Sequence, residues 1–257
     1  FLEILVVRIM RRVRVIPVLL IADGKLVKTE RFKKPKYVGD PINAIRIFND
    51  KGVDELAVCD ISKDRFSRGP DMRLLEKLAS EAFMPMAYGG GISTLDQGMA
   101  LITSGFEKLA INTGLVEHPG LVTQLSARLG SQSVVASVDY RKGWMGGLQQ
   151  FTHSGGTRVR GDLVTLIKGW VDEGAGEVWL NCIEREATYT GYDLQMIERV
   201  SKVLRVPVVG IGGAGKVEDM QAAIDAGASA VAAGAMFVYQ RPHNAVLISY
   251  LKEEIFV

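Results

Sequence analysis

The sequence predicts a single (β/α)8 barrel, and three observations predict it. Short apolar, β-branched runs alternate eight times with segments of amphipathic-helix length, with no linker between them. The 257 residues suit one such barrel. An internal repeat at an offset of 122 pairs Pro85-Met86-Ala87 and Gly90-Gly91 with Pro207-Val208-Val209 and Gly212-Gly213. The same offset pairs Glu55 with Glu177 and Gly105 with Gly227, so the chain reads as two half-barrels of four βα units each. A doubly wound sheet is the weaker reading, because no Gly-x-Gly-x-x-Gly follows the first strand.

The elements follow in order. Strands are expected near Arg14–Ile21, Glu55–Ile61, Met84–Tyr88, Lys108–Ile111, Val134–Asp139, Glu177–Cys182, Pro207–Ile211 and Ala230–Ala233. Asp40-Pro41 reads as an N-cap followed by proline at the first helical position. Ser93 with Asp96 resembles a capping box. Gly52, Gly105, Gly130, Gly174 and Gly227 are each expected to close a helix just before the next strand. The barrel is assigned to residues 12–257 and an N-terminal extension to residues 1–11. There, an apolar run from Phe1 to Val7 precedes Arg8, Arg11 and Arg12, the reverse of a secretory signal and too short to span a bilayer. Met10 is a candidate start, with an extra strand or helix turn below the barrel as the alternative.

Composition excludes several function classes. Lys+Arg 31 against Asp+Glu 29 leaves +2, which argues against a nucleic-acid binder, and nothing points to a membrane. Cys59 and Cys182 are expected to be reduced, buried residues of a cytoplasmic protein, at nearly equivalent strand positions. Three scattered histidines give no metal-ligand spacing, and no cofactor is called for. Trp144, Trp170 and Trp179 read as core or interface residues, and His153 as a weak candidate for proton transfer.

Chemistry is expected at the C-terminal ends of the strands. Gly90-Gly91 and Gly212-Gly213 follow the third and seventh strands and are read as opening helices, where backbone N–H groups could approach a phosphate. Asn112-Thr113 after the fourth strand and Gly234-Ala235 after the eighth complete each set. Two such sets across one mouth imply an elongated bisphosphate; tight turns alone are the competing reading. Asp139 ends the fifth strand as a candidate acid or base, and the half-barrel repeat places Leu20 opposite it. Asp23, three residues beyond Leu20, is not counted as a replacement, since alternation aims it elsewhere.

From about Arg12 to Ile255 the chain resembles the cyclase subunit of imidazole glycerol phosphate synthase. RVIPVLLIADGKLVKT, GDPINAIRIFNDKGVDELAVCDI, YGGGIS, FEKLAINTG, VVASVDYRKG, FTHSGG, GAGEVWLN, TGYDL and GIGGAG carry the resemblance. It implies a barrel that receives ammonia from a class I glutaminase docked at its N-terminal face. In that family the ammonia and a phosphoribosyl-formimino ribonucleotide yield imidazole glycerol phosphate and an aminoimidazole carboxamide ribotide. The resemblance also implies an aspartate at the end of strand 1 as well as strand 5. Here the strand 5 residue is Asp139 and the strand 1 position is Leu20, which carries no proton.

Two more departures matter. The family's acidic-Arg-acidic-Gly-Thr run, which helps hold one phosphate, reads Glu184-Arg185-Glu186-Ala187-Thr188 here. The first loop, Arg31 to Tyr37, is more basic than the family implies, and reads as a solvated loop or as a lid over an anionic ligand. The family's charged ammonia gate, in contrast, is matched by Arg14, Glu55, Lys108 and Glu177, where a structural salt-bridge layer is the competing reading.

The expected function is therefore a paralogous subunit of a glutamine amidotransferase complex. It passes ammonia from its glutaminase toward amidination of an acetamido sugar in surface-polysaccharide (O-antigen) synthesis. The ordinary histidine-pathway cyclase is the alternative; a non-catalytic scaffold that activates a glutaminase and a sugar isomerase on a similar repeat are weaker ones.

Overall fold

A computed structural model describes residues 13–143 and 146–250. The proposed extension at residues 1–11 and Trp144 lie outside them. Eight parallel strands close on themselves: β1 (Arg14–Ala22), then, after β2 (Lys25–Glu30) and β3 (Lys33–Gly39), β4 (Leu56–Asp60), β5 (Met86–Gly89), β6 (Lys108–Ile111) and β7 (Val134–Lys142). After β8 (Leu148–Thr152) and β9 (Thr157–Arg158) come β10 (Glu177–Cys182), β11 (Val208–Ile211) and β12 (Ala230–Ala233). Pairing runs β1-β4-β5-β6-β7-β10-β11-β12 and back to β1. This is the expected (β/α)8 barrel, and every one of the eight expected strands forms.

The helices pack outside. The main ones are α1 (Pro41–Asp50), α3 (Met72–Glu81), α4 (Leu95–Thr103), α6 (Leu121–Leu129), α7 (Leu163–Asp172), α8 (Leu194–Ser201) and α9 (Val217–Asp225). Short turns α2 (Arg65–Arg68), α5 (Thr113–Glu117) and α10 (Ala235–Val238) sit at the barrel's C-terminal end, and a small hairpin of β13 (Tyr239–Gln240) and β14 (Ala245–Val246) follows. In α1 the buried residues Pro41, Ala44, Ile45 and Phe48 fall at helical spacing, and Asp40 caps it by accepting from the Asn43 N–H at 2.9 Å. The capping box on α4 belongs to Thr94 and Gln97, not to Ser93 and Asp96. Only the longer Gln97 amide reaches back, taking the Ser93 and Thr94 N–H groups at 2.8 and 3.2 Å. The five helix-closing glycines all have positive φ, the conformation that stops a helix at least cost.

Alternation along the strands divides two cores. Val15, Leu19 and Ile21 of β1 face the helices, while Ile16 faces the axis with Ala57, Ala87, Ala110, Val135, Trp179, Val209, Ala230 and Ala232. The first strand of each half runs on into a hairpin at the mouth. Leu20 pairs with Val27 across the β1–β2 hairpin, and Asp139 with Phe151 across β7–β8. Neither hairpin was among the expected elements. The signal for the first was present: Asp23-Gly24, both with positive φ, is a two-residue turn between alternating strands.

The two cysteines are not at equivalent positions. Cys59 pairs with Leu20, and the residue related to it by the repeat is Asn181, which pairs with Asp139. A one-residue offset turns a strand side chain to the other face. Cys59 accordingly faces the barrel interior and Cys182 the outer core.

Candidate functional site

The bottom of the barrel is closed by four charges in a cycle. Arg14 is paired with Glu55 and, at 2.6 Å, with Glu177; Lys108 reaches Glu55 at 2.9 Å and Glu177 at 3.2 Å. Both glutamates are almost fully buried. Burial opposes ionisation of Glu177, but Lys108, Arg14 and the indole N–H of Trp179 together hold its carboxyl below the usual glutamate range. Trp179 donates to Glu177 at 2.8 Å, and its ring lines the cavity at the top. One buried side chain thus spans the axis between ring and mouth, where β5, β6 and β12 contribute alanines to the axial cluster. Trp170 is partly buried against the outer core.

The mouth has two lobes. Val18, Leu20, Phe32, Asn181 and Ile211 line both. The first lobe, about 150 Å³, continues to Gly90, Gly91, Asn112, Thr113, Arg65, Ser154 and Asp139. The second, about 50 Å³, continues to Gly212, Gly213, Gly234, Ala235, Lys28, Glu186 and Ala187. Each sequence-expected glycine set therefore falls in its own lobe.

The glycine pairs do not open helices, as the sequence reading had them do. Helices α4 and α9 begin at Leu95 and Val217, well past the pairs, and only the one-turn α5 and α10 start at the mouth. Glycine is required for another reason. A Cβ on Gly91 would lie 2.3 Å from the Arg65 carbonyl oxygen, and one on Gly213 would lie 2.0 Å from that of Gly191. Both residues have positive φ and pass beneath the neighbouring loop. Close backbone packing alone accounts for these residues, whatever else they touch.

Asp139 sits in the first lobe. It accepts from Asn181 Nδ2 at 2.9 Å. Burial raises its carboxyl to about 7, against smaller lowering effects of Asn181 and Arg65. A carboxyl titrating there can both take and give a proton at neutral pH. Asn181 Oδ1 is buried with no hydrogen-bond partner among the described residues. Leu20 occupies the register position that mirrors Asp139: Leu20 pairs with Cys59 as Asp139 pairs with Asn181, and Cys59 and Asn181 are one repeat apart. Asp23 is exposed at the β1–β2 turn and lines neither lobe.

The raised Asp139 carboxyl makes a stability prediction. The folded chain holds a proton that the unfolded chain has already released between about pH 4 and 7, so wild-type stability falls as pH rises through that window. Asp139→Asn removes this loss. It is expected to melt higher than the parent at pH 8 and equally at pH 4, as read by thermal unfolding at both values.

The second lobe is already occupied by the protein's own charges. Glu186 is ion-paired with Lys28, both buried, and also accepts from Thr29 Oγ1 at 3.1 Å and the Phe32 N–H at 3.2 Å. Its carbonyl takes the Arg31 N–H, so this residue fastens the β2–β3 hairpin over the mouth. The basic residues Lys33, Lys34 and Lys36 of that hairpin point to solvent; Lys28 and Phe32 are the ones that face inward. Next to Glu186, Ala187 has φ 58°, the left-handed region that costs a side-chain-bearing residue about 1–2 kcal/mol. Set against the extra unfolded-state freedom of glycine, Ala187→Gly is expected to stabilise by about 0.5–1 kcal/mol, measured by denaturant unfolding.

Arg65, Lys28, Phe32 and Asn181 were not singled out from sequence. Arg65 is buried, donating to the Ser62 carbonyl at 2.6 Å and Ser154 Oγ at 2.8 Å, with its guanidinium 4.1 Å from the Phe66 ring centroid. Desolvation lowers its pKa against the pull of Asp60 and Asp139. The only available signal was its place in the loop after the second strand. Asn181 could have been found by applying the repeat to Cys59. His153 lies on the β8–β9 turn, its ring 3.4 Å from Glu117 and 4.6 Å from the Phe66 ring. Burial pushes the Cys59 thiol up to about 12, which leaves it unreactive at neutral pH. No cluster of three metal-binding side chains, and no helix long and apolar enough to cross a membrane, occurs among the described residues.

Known proteins bear on this geometry. The chain is 44% identical over 242 residues to a Pseudomonas aeruginosa protein named "Putative imidazole glycerol phosphate synthase subunit hisF2", covering 94% of this chain and 96% of that one. It is 42% identical over 243 residues to a Leptospira borgpetersenii protein named "Putative imidazole glycerol phosphate synthase subunit HisF", covering 94% and 96%. A Nocardioides protein named "Imidazole glycerol phosphate synthase subunit HisF" is 37% identical over 232 residues, covering 88% and 90%. The family described as "Histidine biosynthesis protein" matches residues 14–243, nearly the whole barrel, and the chain belongs to it, among its HisF-type members.

Proposed function

We propose that this chain is the barrel subunit of a cytoplasmic glutamine amidotransferase complex that conducts ammonia without running the full cyclase reaction. A class I glutaminase docks on the N-terminal face and releases ammonia beneath the ring of Arg14, Glu55, Lys108 and Glu177. The ring is the gate: moving Lys108 off its two glutamates opens the axis, and ammonia passes Trp179 to the mouth. The acceptor of that ammonia is an acetamido sugar of surface-polysaccharide (O-antigen) synthesis, amidinated by a ligase-like enzyme.

The observation that carries this reading is Leu20. Opening an imine-linked nucleotide and closing an imidazole ring both need proton transfers on two faces of the reacting carbon skeleton, and one carboxyl cannot serve both. With leucine at the mirrored register position, Asp139 has no carboxyl facing it from the first barrel strand, and Asp60, the other carboxylate lining the lobe, is ion-paired with Arg68 at 3.1 Å. The first lobe, with Gly90, Gly91, Asn112 and Thr113, and the second, with Gly212, Gly213, Gly234, Ala235 and Glu186, remain candidate anion sites of the mouth. The histidine-pathway cyclase is the second reading, favoured by the near-neutral Asp139 carboxyl.

The test is reconstitution with a class I glutaminase subunit of this family. A one-to-one complex whose glutaminase is active, and which releases glutamine-derived ammonia at the mouth of the barrel, is expected. Lys108→Glu, which places a third acid in the ring, should impair ammonia transfer while leaving the complex assembled. A chain that neither binds nor activates the glutaminase contradicts the proposal.

A further inference from the structure

We infer that Tyr250 is a positioning residue for the charged ring: its hydroxyl closes the seam between β1 and β4 at the bottom of the barrel and so keeps Arg14 against Glu55. The ladder between these two strands stops short of the ring. Its pairs run from Val18 with Ala57 to Ile21 with Asp60. On its other side β1 stays paired with β12 down to Arg14 and Ala230. The stretch of β1 that carries Arg14 is therefore held by a ladder on one side only.

Side chains join it on the other side. The Val15 N–H donates to Asp54 Oδ2 at 3.3 Å. The Tyr250 hydroxyl stands between the same two residues, 3.1 Å from the Val15 carbonyl oxygen and 3.3 Å from Asp54 Oδ2, and accepts from the Asp54 N–H at 3.5 Å. Val15 and Asp54 are the chain neighbours of Arg14 and Glu55. The clamp thus fixes the two backbone points from which these ring side chains hang. Arg14 gives separate N–H groups to Glu55 and Glu177, and a planar fork that spans two carboxylates tolerates less displacement than the compact ammonium of Lys108. Tyr250 is itself anchored. Its ring centroid lies 5.5 Å from that of Phe237, and the preceding Ser249 N–H donates to the Phe237 carbonyl at 2.9 Å. The inference rests on reading the ring as a gate, and the clamp keeps that gate from leaking at the seam.

The test is hydrogen–deuterium exchange of the Trp179 indole N–H in the whole chain, followed by NMR. That group is buried on Glu177 and meets water when the ring opens. The chain has three tryptophans, and Trp179→Phe identifies the signal. Tyr250→Phe keeps the aromatic ring and removes only the hydroxyl. It is expected to speed exchange of the indole by about tenfold, the upper end of what one lost hydrogen bond gives. Core amides of β10 and β11 should speed by less, in step with any loss of global stability. Asp54→Ala removes the other half of the clamp and should act in the same direction. Indole exchange unchanged in Tyr250→Phe, or raised only as much as the core amides, would overturn the inference. The experiment needs neither glutaminase nor acceptor, so its failure leaves the reconstitution above to decide the proposed function.

Discussion

Leu20→Asp is expected to raise cyclase turnover by about 10²-fold or more when the formimino ribonucleotide is supplied with free ammonium. Using ammonium removes the glutaminase from the assay, so only the mouth is under test. The effect follows from register. Position 20 pairs with Cys59 on β4 and position 139 with Asn181 on β10, which are one repeat apart, so a carboxyl at 20 enters the same cavity from the opposite wall. Leu20 is half-buried, and its replacement puts a carboxyl at a wet mouth rather than in a sealed core. Asp139 already titrates near 7, so the added group completes a pair instead of building one from nothing. Leu20→Asn has nearly the same shape and no proton to exchange; it should give no gain, which separates acid–base chemistry from simple enlargement of the cavity.

Glu177→Gln is expected to destabilise the fold by about 3 kcal/mol, because it leaves Arg14 and Lys108 sharing Glu55 alone in a buried ring. For a chain of this size that is a fall in Tm of roughly 6–12 °C. The pH dependence has a definite sign. Folding holds the Glu177 carboxyl below its ordinary value, so its contribution is complete above about pH 4.5 and is lost as pH falls through the folded value. The gap between parent and variant should be constant from pH 6 to 8 and should close under acid. A gap that persists at pH 3 would mean that the glutamine damages packing around Trp179 instead of removing a charge.

The barrel was legible in the sequence because its signals are redundant. Eight apolar runs, helix-closing glycines and a 122-residue repeat all require the same closed sheet, and an error in one is corrected by the others. The mouth was legible only in outline. Gly90, Gly91, Gly212 and Gly213 stand out as glycines, yet their type reports a backbone that must pass close to something and does not say to what. The structure places Gly91 and Gly213 against backbone carbonyls of the neighbouring segment, and Gly90 and Gly212 against the last residues of the neighbouring barrel strands, Asp60 and Cys182. Arg65 and Lys28 gave no signal of their own, since an arginine or lysine in a polar loop looks the same whether it faces solvent or a cavity. Their burial follows from the β2–β3 and β8–β9 hairpins folding over the mouth, and those hairpins lack the strong apolar alternation that marks the barrel strands. Cys59 and Cys182 are nearly equivalent in the repeat, and the one residue between them is the smallest shift that reverses a strand's face.

Central to this account is the claim that one carboxyl of the acid–base pair has been lost while the barrel around it has been kept. The measurement that tests it most directly is turnover of the phosphoribosyl-formimino ribonucleotide with saturating ammonium by the unmodified chain, alongside Asp139→Asn. The account predicts no turnover above background in the parent, and therefore no difference between parent and variant. Clear turnover in the parent that Asp139→Asn abolishes would contradict it, and would make this barrel a working cyclase that closes the imidazole ring with a single aspartate.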